Sequence, residues 1–455
     1  MSIKISSTRD YFSGRFAVVA AVAGSAVGLG NIWRFPYIAG QNGGGAFLLV
    51  YLICVVAIGI PVMTSEFIIG RAAQLNPYGA FKKLAPGKPW FLIGLMGVVA
   101  AFMILAFYTT VAGWTLEYLF QSLTGNLAGK TDAQLTVMFD TFLQGSFRPL
   151  LWFLLFMSFT AFIIMSGVRE GIEKYTKVMM PFLFLLLIVL GIRSLTLPGG
   201  KAGLQFLFHP DISKISPKII LEALGQSFFS LSVGMGTLIT YGSYIQKKEN
   251  LIKSAAYVTL ADTSVAILAG IAIFPAVFAL GGSPTSGTGL VFIVVPGIFQ
   301  KMPLGNIFAI LFFMLLAVAA LTSTISVLEV IVAYLVEELK MARKKATIAA
   351  TLAVSVLGII TVLSFGALST VQITGKNIFS LLEYLTSNIM LPVGGLFIVI
   401  FIGWFFSRDI SKSELTNDGD LKGNIVPVFM FIVKFVAPIA IAMVFLYSLG
   451  IFKSA

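Results

Sequence analysis

Eleven mostly apolar runs follow one another along this chain, each about the 20 residues needed to cross a bilayer as a helix. They fall near 15–39, 44–70, 90–124, 149–167, 175–196, 218–245, 254–281, 305–339, 346–364, 377–405 and 426–451. Backbone groups in hydrocarbon must be satisfied within the segment, so runs of this length dictate helices. The fold class is therefore an all-α polytopic membrane protein with about 11 transmembrane helices, in one membrane domain over 1–455. Composition agrees: 58% of residues are hydrophobic and 11% are charged, against about a quarter charged in soluble proteins. The polar start MSIKISSTRDYFSGR has no cleavage-type small-residue site, so the first run is expected to stay as an uncleaved helix.

The net charge of +12 does not point to nucleic acid, because the basic residues are spread over short loops between the runs. With the amino terminus inside, 20 Lys and Arg fall on inside segments and 9 on outside ones, leaving Arg34 and Lys434 within runs. The positive-inside rule thus predicts a cytoplasmic N-terminus and, after an odd number of crossings, a C-terminus outside the plasma membrane. The single cysteine, Cys54, lies in an apolar run, which excludes an intramolecular disulfide or a thiolate metal site. The lone His209 is in a loop and is assigned no role. An enzyme is not expected: there is no Walker-type phosphate loop and no cluster of His, Cys or carboxylates resembling a metal-catalytic set.

Residues 24–36, GSAVGLGNIWRFP, break the pattern of the first run. Three glycines, an asparagine, an arginine and a proline are poor choices for a helix that only has to span. The sixth run carries an echo: AVGLG at 26–30 answers SVGMG at 232–236. The copies are offset by five helices, an odd number, so they cross the bilayer in opposite directions. Paired breaks in two halves predict a 5+5 inverted repeat, roughly 10–200 and 215–408, with discontinuous helices 1 and 6 and a site near the midplane. The additional helix at 426–451 stands outside the repeat. Gly24-x-x-x-Gly28 also fits plain small-xxx-small helix packing, which stays open for those two residues.

Asp262, in VTLADTSVAIL, sits well inside the seventh run. A carboxylate there is costly unless partnered, which makes it a candidate ion ligand. A helix-end position in contact with water, or a structural hydrogen bond, are the alternatives.

Taken together, GSAVGLGNIWRFP, GQNGGGAF (40–47), FYTTVAGWTL (107–116), GQSFFSLSVGMG (225–236) and ALTSTIS (320–326) resemble the neurotransmitter:sodium symporter family, in its bacterial amino-acid-transporting branch. The resemblance covers almost the whole chain; eleven helices rather than the more usual twelve is a departure. It implies a sodium-coupled symporter that uses two Na⁺ and no organic cofactor. By matched position, the first sodium site would take Ala26, Asn31, Ser230 and Asp262 with the substrate carboxylate. The second would take the carbonyls of Gly24, Val27 and Ala319 with the hydroxyls of Thr322 and Ser323. Na⁺ prefers such oxygen donors, although Thr and Ser also satisfy backbone carbonyls inside membrane helices. Chloride-dependent relatives balance charge near this sodium with an anion; Asp262 could do so here, so chloride independence is expected.

The same resemblance places the substrate at Ala26, Gly28, Gly30, Tyr108, Phe229, Ser230 and Ser232, with a side-chain pocket from Ile104, Met235, Ser323 and Val327. Free N–H groups at the first break suit a carboxylate, and carbonyls around the second suit an ammonium. Amine-transporting relatives carry an aspartate where this chain has Gly28, so a neutral, hydrophobic or aromatic L-amino acid is the expected substrate. The resemblance also implies an outer gate of Arg34 and Glu383 above the Phe229 and Tyr108 lid, and an inner gate of Arg9 and Glu337 with Tyr244 nearby. Each of these charges could instead be an interfacial residue that snorkels. Gly171 and Pro181 bracket the start of the fifth run, where relatives loosen a helix to admit water. A carrier of betaines or amines, or a receptor or channel on the same scaffold, is the alternative reading. The lipid bilayer is the expected surround and a homo-oligomer is left open.

Overall fold

The computed structural model describes residues 11–284 and 290–448. Among them, nine helices are long and apolar enough to cross a membrane: Gly45–Ala73, Phe91–Leu123, Phe147–Met165, Val168–Leu195, Leu251–Ala279, Gly305–Glu337, Arg343–Leu363, Ile378–Phe405 and Gly423–Met443. A tenth crossing is the pair Arg15–Ala26 and Gly30–Gln41, whose arms meet at 53°. The sixth run does not form one helix. It is split into Pro217–Ser230 and Thr237–Gly242, each too short to cross alone at 1.5 Å per residue.

Local chemistry fixes where the helices start. Pro217 follows Ser216, whose side chain accepts from the Ile219 amide at 3.3 Å. Asn250 accepts from Lys253 and Asn377 from Ser380, both at 2.9 Å. A cap of this kind is worth about 1 kcal/mol. The fifth span begins earlier than the sequence pattern predicts, at Val168 rather than 175. Its first turn, Val168–Glu173, is π-helical, so Gly171 lies inside the helix and Pro181 in its interior. A side chain at Gly171 would run into the Ile163 carbonyl, so glycine here permits close packing rather than a break.

The long helices Phe91–Leu123 and Gly305–Glu338 pack along each other, as do Val168–Leu195 and Leu251–Ala279. The arm Arg15–Ala26 lies against the fifth, seventh and eighth spans. The first break is thus enclosed on every side by helix, and non-helical backbone is tolerated at depth only where it is buried or lines a cavity.

Candidate functional site

The first arm ends at Ala26 because Val27 turns extended, at φ −69° and ψ 109°, before the chain re-enters helix at Gly30. The second break is made by three consecutive conformational choices. Ser232 has φ 55°, Gly234 has φ 88° and Gly236 has φ 79°. A serine in the left-handed region is uncommon and costs free energy, so it persists only where its surroundings hold it. Here the Ser232 hydroxyl donates to the Ser25 carbonyl at 3.2 Å, which ties the two breaks together.

Asn31, Ser230 and Asp262 meet in a fully buried cluster between the first, sixth and seventh spans. The Asn31 amide donates to Ser230 Oγ at 2.9 Å, to Asp262 Oδ1 at 2.8 Å and to the Asp262 carbonyl at 3.1 Å. Ser230 donates to Asp262 Oδ2 at 2.8 Å, and the Tyr51 hydroxyl donates to Ser230 at 3.3 Å. Asn31 Oδ1 is turned the other way and accepts from the Gly28 amide at 3.0 Å. No lysine or arginine joins this cluster among the described residues. A buried carboxylate held only by neutral donors lacks a counter-charge, and a cation with oxygen ligands is the chemical complement of that donor set.

Oxygen atoms also gather where the first arm crosses the eighth span. Thr322 Oγ1 donates to Ala319 O at 2.9 Å and to Val27 O at 3.3 Å. Ser323 Oγ lies within 3.3–3.4 Å of the carbonyls of Ser25, Val27 and Ala319. Gly24 is pressed between the fifth and eighth spans, where an added Cβ would lie 3.3 Å from Thr176 and 3.5 Å from Thr322. These contacts also satisfy helix carbonyls, so they fit both an ion site and simple packing.

Tyr108 accepts the Leu29 amide at 2.9 Å, which leaves the tyrosine hydroxyl at the start of the second arm. A Cβ at Gly28 would collide with Ser323 Oγ and lie 2.5 Å from the Tyr108 hydroxyl. Gly30 faces the Phe229 ring at 3.2 Å in the same sense. Ile104, Met235 and Val327 are buried.

The outer gate residues arrange themselves differently from the matched pair. Arg34 and Glu383 form no ion pair in this conformation. The Arg34 guanidinium donates instead to Gln226 Oε1 at 2.8 Å and lies 4.6 Å from the centre of the Phe229 ring. Gln226 also donates to the Gly30 carbonyl at 2.9 Å, so one amide side chain occupies the guanidinium and braces the break. Beside Arg34 and Phe229 is a cavity of about 240 Å³ that reaches Glu222 and Asn388. At the other end, Tyr244 donates to Glu329 at 2.7 Å, and Arg343 holds Glu329 through two bonds of 3.0 and 2.6 Å. Glu337 accepts from the amide and side chain of Asn76, at 2.6 and 3.0 Å. Arg9 lies outside the described residues.

Three buried groups at the site escaped the sequence reading: Gln226, Glu66 and Glu329. Glu66 accepts the Gly234 amide at 2.8 Å and thereby satisfies a donor freed by the second break. A single carboxylate inside an apolar run was the available signal for both glutamates.

The sequence profile of the sodium:neurotransmitter symporter family matches residues 9–141 and 143–455. An uncharacterized sodium-dependent transporter of Bacillus subtilis, YhdH, is 41% identical over 440 residues, covering 97% of this chain and 98% of its own. The chain belongs to the sodium:neurotransmitter symporter family. This transporter also matches the crystal structure of MhsT in complex with L-phenylalanine, with a TM-score of 0.89 and 49% identity over 97% of this chain and 100% of that one. The sodium- and chloride-dependent GABA transporter 2 of Homo sapiens is more distant, 27% identical over 97% of this chain and 80% of its own. It is therefore a sodium-dependent, multi-pass membrane transporter rather than an enzyme.

Proposed function

We propose that the protein carries a neutral, hydrophobic or aromatic L-amino acid into the cell together with two sodium ions, by alternating access of the two repeats at 10–200 and 215–408. One observation carries the reading: Asn31, Ser230 and Asp262 converge at 2.8–2.9 Å between the two broken spans, buried and without a basic counter-charge among the described residues. Asn31, Ser230 and Asp262 with the Ala26 carbonyl would hold one sodium. The carbonyls of Gly24, Val27 and Ala319 with Thr322 and Ser323 would hold the other. The amides at the start of the second arm, with Tyr108, receive the substrate carboxylate, and the carbonyls before Ser232 receive its ammonium.

Gly28 carries no side chain into that space, where Ser323 and the Tyr108 hydroxyl already close in. Ile104, Met235 and Val327 offer an apolar wall, and methionine adapts to aromatic rings. The relative bound to L-phenylalanine supports this substrate class. Asp262 supplies the negative charge at the first sodium, so chloride is not required. The orientation has the amino terminus in the cytoplasm. One charge crossing 100 mV contributes about 2.3 kcal/mol, and a tenfold gradient about 1.4 kcal/mol. Two sodium ions then supply roughly 7 kcal/mol, enough to concentrate a zwitterion by about five orders of magnitude.

The test is uptake into proteoliposomes of a panel of labelled amino acids under an imposed sodium gradient, repeated with potassium or lithium and without chloride. Accumulation of phenylalanine-like substrates that follows sodium and ignores chloride is expected. Uptake indifferent to sodium overturns the coupling, and preference for a betaine or an amine overturns the substrate class.

A further inference from the structure

The tenth and eleventh spans meet through two π-helical turns, Phe401–Phe405 and Ile432–Val436, near the face that carries the amino terminus. Gly403 makes the approach close: a Cβ there would stand 3.2 Å from Lys434 Cα. The rings around this contact are turned outward, with Trp404 57% exposed, Phe405 56% and Phe431 58%.

Lys434 lies eight residues past Val426, the start of its α-helix, and so about 12 Å along the axis. Its side chain reaches back so that the ammonium is 4.9 Å from the centre of the Trp404 ring, while the indole N–H donates to the Lys434 carbonyl at 3.2 Å. Lys88 places its ammonium 5.9 Å from the centre of the ring of Phe405, the next residue after Trp404. Trp90 packs on Phe401 and Phe405 with ring centres 5.0 and 4.9 Å away, which holds this loop against the tenth span. Among the described residues neither lysine pairs with a carboxylate. Two further basic residues nearby are already engaged: Lys83 donates to the Ala73 carbonyl and Lys82 lies over Tyr78.

An ammonium set into a span without a counter-ion is costly. A cation–π contact at an exposed site returns only about 0.5–1 kcal/mol. The missing component is an anion at headgroup depth with an apolar body below it.

We propose that Lys88 and Lys434 hold the headgroup of an anionic phospholipid, whose acyl chains lie along Trp404, Phe431 and Phe435. Charge selects this occupant. A zwitterionic lipid brings its own ammonium to two lysines, whereas an acidic headgroup brings net negative charge.

The experiment is native mass spectrometry of the full-length protein in mild detergent, with equal amounts of phosphatidylglycerol and phosphatidylcholine of identical chains. About thirtyfold enrichment of phosphatidylglycerol among retained lipids is expected, since each of the two lysines near a charged headgroup contributes about 1 kcal/mol. The pair Lys88→Gln and Lys434→Gln should bring retention near parity, while Lys82→Gln with Lys83→Gln should leave the preference intact. A second measurement avoids dependence on how the variant folds. Brominated phosphatidylglycerol should quench the wild-type tryptophan fluorescence more than brominated phosphatidylcholine, and Trp404→Phe should remove that difference. Equal retention of the two lipids by wild type overturns the proposal. So does a preference that survives in the Lys88/Lys434 variant, or a protein dimer that excludes lipid from these rings.

Discussion

Asn31 of the first span donates its amide to Asp262 of the seventh at 2.8 Å, and both side chains are fully buried. No basic residue joins them among the described residues, so this bond and the one from Ser230 are what stand between the carboxylate and an apolar interior. The proposed role of Asp262 therefore has a direct consequence. Asp262→Asn keeps the shape and removes the charge, so sodium affinity should fall by about tenfold, the equivalent of about 1.4 kcal/mol. Uptake by the variant should also become responsive to chloride, because an external anion can now supply the missing charge. Sodium titrations of uptake with and without chloride check this; an unchanged half-saturating sodium concentration would count against the role.

Gly28 gives the second prediction. A Cβ at this position would meet Ser323 Oγ and the Tyr108 hydroxyl. Backbone φ is not at issue, since Gly28 does not adopt a positive φ. Gly28→Ala should therefore fold, with a melting temperature within a few degrees of wild type, yet lose substrate affinity by at least about tenfold. Binding of labelled phenylalanine and a thermal melt, measured on the same preparation, separate the two effects. Equal binding by the variant would remove Gly28 from the substrate site.

The breaks at 27–30 and 231–236 were legible in the sequence because glycine, asparagine and arginine stand out against apolar neighbours. Asp262 was legible for the same reason. Glu66 and Glu329 carried the same signal and were passed over, since their partners come from distant chain: the freed Gly234 amide for one, Arg343 and Tyr244 for the other. Glu337 lay next to a charged run and matched a gate by position; its contact with Asn76 joins distant parts of the chain, which spacing along a helix does not show. The eleven runs located the crossings well. The sixth run is split as its SVGMG echo predicts, and the fifth begins at Val168 rather than 175, because its first turn is wound as a π-helix over polar residues that carry no apolar signal.

Glu66 tests how the second break is held. Its carboxylate accepts the Gly234 amide inside the span, where water does not replace a lost acceptor. Glu66→Ala should cost about 1–3 kcal/mol, the penalty of a buried unsatisfied donor. Glu66→Gln keeps an acceptor oxygen and should recover most of that loss. The measurement is thermal unfolding in detergent with and without sodium. If alanine and glutamine variants melt together near wild type, the amide of Gly234 finds its partner elsewhere.

Glu329 and Arg343 pair at the opposite end of the helices, where Tyr244 joins them. Glu329 is fully buried, accepts from Tyr244 on the short inner arm's extension, and is gripped by both terminal nitrogens of Arg343. Arg343 also donates to the Ile164 carbonyl at 3.0 Å, so this one residue joins the ends of the fourth, eighth and ninth spans. Removing the Glu329 carboxylate takes two bonds from Arg343 and one from Tyr244. Glu329→Ala should thus loosen the face that carries the amino terminus and favour opening there. A cysteine introduced near Tyr244 in a Cys54→Ala background should then react with a polar thiol reagent several times faster in the variant than in the parent. Joining Glu329→Ala to Arg343→Ala should restore part of the slow rate, since the guanidinium that lost its carboxylate is gone. A double variant as reactive as the single one would show that Tyr244, rather than Arg343, is the partner that keeps this end closed.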